Sequence, residues 1–153
     1  MRVGFGYDSH RITEGRELIL GGVKIPFENK GLLGHSDADV LIHAVIDAIF
    51  GAEAKGDIGR HFPDNDPAYK DISSMVLLKE AVSGMDGKIV NLDCTLLMQK
   101  PKLAPFIEEI RESLAKALDT DIKNVSVKAK TEEGMEAVGR GELAKAYAVV
   151  LID

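Results

Sequence analysis

An aspartate and a histidine stand two residues apart in Asp8-Ser9-His10. Just before them Val3, Phe5 and Tyr7 alternate with Gly4, Gly6 and Asp8, the period-two signal of a β-strand. On a strand, positions i and i+2 face the same way, so the carboxylate and the imidazole converge as two ligands of one divalent ion would. Alone, the pattern fits a plain polar pair equally well. His43 offers a third ligand. It sits in an apolar helical run, with Asp39 four residues before it and Asp47 four after, on one face. In isolation it also reads as an interior histidine bonded to its helix neighbours. Together with Asp8 and His10 it completes a set of three, which leaves one tetrahedral position of a zinc ion open. Asp39 is the expected partner fixing the tautomer of that histidine. Cys94 is the one cysteine, so neither a cysteine-only metal site nor an internal disulfide framework exists within the chain.

Other residues suit anionic ligands. His35-Ser36 is placed at the N-terminus of the same helix, where free N–H groups attract anions, although plain capping by Ser36 explains it as well. Asp57-Ile58-Gly59 and the run Phe62-Pro63-Asp64-Asn65-Asp66 suit hydroxyl recognition and close backbone approach, and equally suit turns. Lys100-Pro101-Lys102 brings two cations to a strand end. Thr131-Glu132-Glu133 offers hard oxygen atoms of the kind Mg²⁺ takes, or else forms a solvated acidic loop. Arg140 carries a guanidinium suited to bidentate phosphate binding, or to a surface pair with Glu142.

The elements that must position these residues follow from periodicity. Strands are expected at the N-terminus and around 17–20 and 23–26, with Gly21-Gly22 as the turn between the last two. Residues 27–36 read as a loop. Ser36 followed by Asp39 resembles a capping box, and Val40, Leu41, Ala44, Val45, Ala48 and Ile49 recur at helical spacing until Gly51. A loop over 55–67 leads to a second helix over 71–82, with Met75, Leu78 and Val82 inward. A half-buried strand over 89–98, an amphipathic helix over 105–118 and a short strand over 125–130 come next. A charged loop over 131–142 precedes an apolar run over 144–152, which fits a strand buried on both faces or in an interface. The order β-β-α-α-β-α-β-β predicts an α+β single domain over 1–153, with helices on one face of a mixed sheet. The other face then needs a cover, and self-association is one simple way to supply it.

Composition bounds the function. The 153 residues carry 19 Lys+Arg against 25 Asp+Glu, a net charge of −6. That balance argues against sequence-independent nucleic-acid binding, which runs on cations neutralising phosphates. No apolar run reaches the roughly 20 residues that span a bilayer, and the first residues show no signal-peptide pattern. With one cysteine, a reducing cytoplasmic setting is expected.

In order along nearly the whole chain run R-V-G-F-G-Y-D-S-H, G-G-V-K-I-P, H-S-D-A-D-V-L-I-H-A, D-I-G-R-H-F-P-D-N-D-P, Q-K-P-K-L, V-K-A-K-T-E-E and G-R-G-E. This series resembles the 2-C-methyl-D-erythritol 2,4-cyclodiphosphate synthase family of the non-mevalonate isoprenoid pathway. The resemblance implies a lyase that cyclises 4-diphosphocytidyl-2-C-methyl-D-erythritol 2-phosphate and releases CMP. It implies a divalent metal, usually zinc, on Asp8, His10 and His43, and a second, Mg²⁺ or Mn²⁺, on Glu133. His35 and Thr131 then stabilise the transition state, and His35 and Ser36 touch phosphate. Asp57, Gly59, Phe62, Asp64 and Asp66 belong to substrate-contacting segments. Met98, Lys100, Pro101, Lys102 and Leu103 hold the cytidine, largely by backbone, with Lys130 beside it and Arg140 at a further phosphate position. A homotrimer with active sites between subunits is implied. The family's usual T-T-T-E tract reads Lys130-Thr131-Glu132-Glu133 here, Glu136-Ala137 stands where Gly-Phe is common, and Leu143 replaces a frequent glycine.

Overall fold

Small residues decide how the sheet meets its central helix. In the computed structural model, which describes residues 1–153, strand β1 (Arg2–Glu14) runs unbroken through the Asp8-Ser9-His10 segment. Gly4 and Gly6 are its buried positions, and Val3, Phe5 and Tyr7 point outward. The inner row is thus Gly4, Gly6, Asp8 and His10, with the glycines pressed against the backbone of helix α1 (Val40–Ala52).

Strands β2 (Leu18–Leu20) and β3 (Val23–Ile25) form a separate hairpin, closed by Gly21 and Gly22 as expected. Both glycines have positive φ, +61° and +78°, which a two-residue hairpin turn demands. The expected loop over 27–36 contains a further strand, β4 (Lys30–Leu32), antiparallel to the far end of β1. Strands β5 (Ile89–Leu97), β6 (Val125–Lys130) and β7 (Leu143–Ile152) complete a five-stranded sheet in the order β4-β1-β7-β5-β6. Only β5 and β6 are parallel, so the sheet is mixed as predicted.

Burial along β7 alternates: Ala144, Ala146, Ala148, Val150 and Ile152 face the core, while Val149 is exposed. The near-continuous apolar run is therefore a one-sided strand within this chain. Its other face continues the outward row of β1, since Val3 pairs Leu151, Phe5 pairs Val149 and Tyr7 pairs Tyr147.

Helix α1 buries Val40, Leu41, Ile42, Ala44, Val45, Ile46, Ala48, Ile49, Phe50 and Ala52, as befits a helix enclosed nearly all round. Its N-cap is Asp39, whose carboxylate accepts from the Ile42 N–H; Ser36 lies upstream and is not the cap. Asp39 is buried and also accepts from the N–H groups of Gly21 and Gly22 at 2.9 and 2.7 Å. It ties the helix start to the β2–β3 turn, and its carboxylate makes no hydrogen bond to the His43 ring, so the expected Asp39–His43 side-chain pairing does not form. Burial pushes its carboxyl up to about 6, against the three N–H donors.

The 55–67 loop holds a short helix α2 (Ile58–His61), and the second long helix starts later than predicted, as α3 (Ser74–Ser83). Residues before it form a 3₁₀ turn over Pro67–Tyr69 capped by Asp66. Leu77, Leu78 and Ala81 are its buried apolar residues, with Met75 and Val82 at the margin. Helix α4 (Ile107–Ala117) buries Ile110, Leu114 and Ala115. A short helix α5 (Glu136–Gly139) interrupts the charged loop before β7. Cys94 faces the core of β5, and burial pushes its thiol up to about 12. No helix is long and apolar enough to cross a membrane.

Candidate metal centre and nucleotide cavity

The inner row of β1 continues past its glycines into Asp8 and His10, and α1 brings His43 down onto them. The Asp8 Oδ2 atom lies 2.8 Å from His10 Nε2 and 3.0 Å from His43 Nδ1, and the two histidine nitrogens are 3.1 Å apart. The three side chains are 27 %, 18 % and 12 % exposed respectively, open on one side only.

Their other hydrogen bonds favour one neutral tautomer of each ring. His10 Nδ1 lies 2.9 Å from the Leu33 carbonyl, which can only accept, so Nδ1 carries the hydrogen and Nε2 presents a lone pair. His43 Nε2 lies 2.8 Å from Ser74 Oγ, and the proton of that hydroxyl is committed to Asp37. His43 therefore holds its hydrogen on Nε2 and turns the Nδ1 lone pair inward. Two imine lone pairs and a carboxylate oxygen converge on one point. With both rings neutral they repel unless a cation sits among them, and aspartate with two neutral histidines is a zinc-type donor set. The residues present thus fit a divalent metal. When ring protons rather than a cation occupy that point, burial still raises the Asp8 carboxyl, but hydrogen bonds and charges from His10 and His43 outweigh it and hold it at about 2. Burial lowers His10, but Asp8, the Leu33 carbonyl and the Asp64 charge together raise it above its ordinary value.

The triad opens into a cavity of about 340 Å³ that also displays His35, Ser36, Phe62 and Asp64. His35 and Ser36 reach it from a bend, not from the helix N-terminus expected for them, because Asp39 has already capped that end. Two residues that the sequence did not single out hold this bend. Arg16 donates to the Ser36 carbonyl at 2.6 Å, and the Asp71 N–H donates to the His35 carbonyl at 2.8 Å. His35 Nε2 donates to the Asp66 carbonyl at 3.0 Å. Asp47 points away from the metal ligands to accept from the Ile58 N–H at 2.7 Å, and burial raises its carboxyl. Asp57 caps α2 through the Arg60 N–H and Asp66 caps the following turn through the Ala68 N–H, so both carboxylates serve local structure. Of that segment it is Ile58, between Asp57 and Gly59, that lines the cavity.

A second, larger cavity of about 1140 Å³ gathers Met98, Lys100, Pro101, Lys102, Leu103, Lys130, Thr131 and Arg140. The Lys100–Pro101 peptide there is cis. Phe27 and Lys30, in the stretch expected to be a featureless loop, form part of its wall, with the Lys30 ammonium 6.0 Å from the Phe27 ring centre. The two cavities share no residue. Glu133 lines neither; it is exposed in the turn after β6, at φ +51°. Arg140 pairs with Glu142 at 2.6 Å.

These features define a class, a one-domain α+β enzyme built round an aspartate and two histidines beside a cationic cavity. The YgbB family model matches residues 1–153, and the chain belongs to that family. It is 57 % identical over 155 residues to the 2-C-methyl-D-erythritol 2,4-cyclodiphosphate synthase of Brachyspira hyodysenteriae, covering 99 % of this chain and 98 % of that protein. Among solved structures, a CDP-bound 2C-methyl-D-erythritol-2,4-cyclodiphosphate synthase superposes with a TM-score of 0.89 at 39 % identity, over 99 % of this chain and all of that one. The bifunctional IspDF of Campylobacter jejuni superposes at 0.92 with 39 % identity over 97 % of this chain, which spans 41 % of that longer protein.

Proposed function

We propose that the chain converts 4-diphosphocytidyl-2-C-methyl-D-erythritol 2-phosphate into 2-C-methyl-D-erythritol 2,4-cyclodiphosphate and CMP. The observation that carries this is the convergence of Asp8, His10 and His43 lone pairs at the mouth of a cavity that also presents His35 and Ser36. An oxygen of the 2-phosphate attacks the β-phosphorus. A P–O bond forms there, the bond to the oxygen bridging α- and β-phosphorus breaks, and its electron pair leaves with CMP. The attacking phosphate is already ionised at neutral pH, so no general base is needed. The barrier is repulsion between anions together with orientation, and fixed donors offset the first while two-point holding supplies the second.

Asp8, His10 and His43 would hold zinc, and Glu133 would hold Mg²⁺ or Mn²⁺. Bound there, these cations would polarise phosphate oxygens and offset the charge that builds on departing CMP. His35 contacts the attacked phosphate and helps stabilise the transition state, and Ser36 orients it. Thr131 stabilises the charge developing in the transition state. The segment Met98–Leu103 cradles the cytidine largely through its backbone, with Lys100, Lys102, Lys130 and Arg140 supplying cations for phosphate. Phe62, Asp64 and the Asp57–Gly59 segment, followed by Asp66, border the methylerythritol.

The two half-sites sit in separate cavities of one chain. A homotrimer that sets the nucleotide cavity of one subunit against the metal centre of the next would complete each site. The outward face of β1 and β7 supports this, since Val3, Phe5 and Val149 are 68 %, 62 % and 42 % exposed on neighbouring strands, an apolar row of the kind that marks an interaction surface. Incubation with the diphosphocytidyl substrate and Mg²⁺, followed by mass spectrometry and phosphorus NMR, tests the reading. Equimolar CMP and cyclic diphosphate are expected. Inorganic phosphate in their place would make the same triad a water-activating phosphohydrolase and overturn the proposal.

A further inference from the structure

The ring of His43 is held from behind by a pair of residues outside the candidate metal triad and both cavity linings. Ser74, the first residue of α3, is fully buried, and its Oγ lies 2.8 Å from His43 Nε2. The Ser74 hydroxyl donates to Asp37 Oδ1, and the Ser74 N–H donates to Asp37 Oδ2 at 3.1 Å. The Asp39 N–H adds a third donor to Asp37 at 3.1 Å. A carboxylate gripped in this way is an acceptor for Ser74, so the hydroxyl proton points away from His43. Its lone pairs are then left to receive the Nε2 hydrogen.

We infer that Asp37 and Ser74 are positioning residues for the metal centre, a carboxylate–hydroxyl–imidazole relay that fixes the tautomer and tilt of His43 so that Nδ1 meets Asp8 and His10. Ligating histidines usually donate their second N–H to a carboxylate or carbonyl. Here the carboxylate acts through an intervening hydroxyl, because Asp39, the carboxylate four residues before His43, is spent on the β2–β3 turn. The relay also joins the bend before α1 and the helix itself to the start of α3, which lies 31 residues beyond His43 and 37 beyond Asp37. Displacement of α3 would therefore be felt at the metal ligand. Ser36 Oγ, at 3.2 Å from the same nitrogen, is the competing partner, but it is the farther of the two hydroxyls and also accepts from the Ala38 N–H at 3.2 Å.

The inference rests on Asp8, His10 and His43 being a metal site, and two readouts separate the ideas. The first is zinc affinity by competition with a chromophoric chelator. Ser74→Ala is expected to weaken zinc about 10- to 100-fold, Ser74→Thr to restore most of the affinity, and Ser36→Ala to change it little. The second is long-range proton–nitrogen NMR of His43 in metal-free wild type at alkaline pH, which needs neither a variant nor zinc. The hydrogen is expected on Nε2. A neutral ring protonated on Nδ1 would overturn the relay, as would unchanged affinity in Ser74→Ala or a loss carried by Ser36→Ala instead. Wild type that shows the Nε2–H ring but binds no zinc would support the relay and sink the metal reading alone.

Discussion

A β-carbon placed on Gly6 would lie 1.8 Å from the carbonyl oxygen of Ala44. Strand and helix are thus in backbone contact, and that closeness carries His43, one residue before Ala44, to within 3.0 Å of Asp8, two residues after Gly6. Gly4 repeats the relationship one turn along, where a β-carbon would lie 1.8 Å from the Ala48 carbonyl oxygen. Metal geometry and packing are therefore one property at this interface.

Gly6→Ala is expected to cost roughly 4 kcal/mol or more, because the clash is with backbone and cannot be relieved by a rotamer change. Gly51→Ala on the same helix is the contrast. A β-carbon there would lie 3.7 Å from the Phe5 carbonyl oxygen, ordinary van der Waals distance, and the helix would gain about 0.5–1 kcal/mol from the better helix former. Chemical denaturation of both variants checks the pair. A Gly6→Ala protein as stable as wild type would refute the close-approach account.

Asp39 predicts a pH dependence of stability. Its folded value near 6 lies above the ordinary 3.8, so the folded state binds more protons between those values and stability falls as pH rises through that window. The full effect is on the order of 3 kcal/mol for a shift of this size. Thermal melts of wild type and Asp39→Asn across pH 4 to 6.5, about the span between the two values, would show the wild-type slope removed in the variant. Parallel curves would remove Asp39 as the source.

His43→Ala is expected to bind no zinc and to lose turnover while keeping its circular dichroism spectrum, since the side chain ends in a cavity. Glu133→Gln should keep zinc but need far more Mg²⁺ for half-maximal turnover, because it is exposed and no part of the triad. Metal analysis and Mg²⁺ titration of the two variants separate these roles; equal effects of both on zinc content would contradict the two-metal assignment.

Phe5 stacks on Tyr147 across the open face of the sheet, ring centres 6.2 Å apart. Phe5→Asp adds a charge to that face without touching the core. The proposed trimer predicts a folded monomer by sedimentation, inactive because the two cavities would then have no neighbouring subunit to meet. An active monomer would show that one chain suffices.

Much of this was legible in the residues themselves. The spacing of Asp8 and His10 put both on one side of a strand, and the helical run around His43 marked it as an interior histidine. The hairpin at Gly21-Gly22 and the strand over 125–130 also stand where local sequence placed them. Less legible were features whose cause lies elsewhere in the chain. β4 is three residues long and exists because β1 offers it an edge. Asp39 satisfies the spacing of a histidine partner, yet its carboxylate turns to two turn glycines that approach only after folding. Ser74 carries no signal at all, being a serine at a helix start like many others.

Sequence alone therefore determined which atoms were available for chemistry and the local periodicity that aims them, because side-chain direction on a strand or helix is a matter of spacing. Tertiary structure decided which of several equivalent polar groups became partners. Hydrogen bonds between distant segments depend on backbone approach to within a few ångströms, and here that approach was granted by the absence of side chains at Gly4 and Gly6.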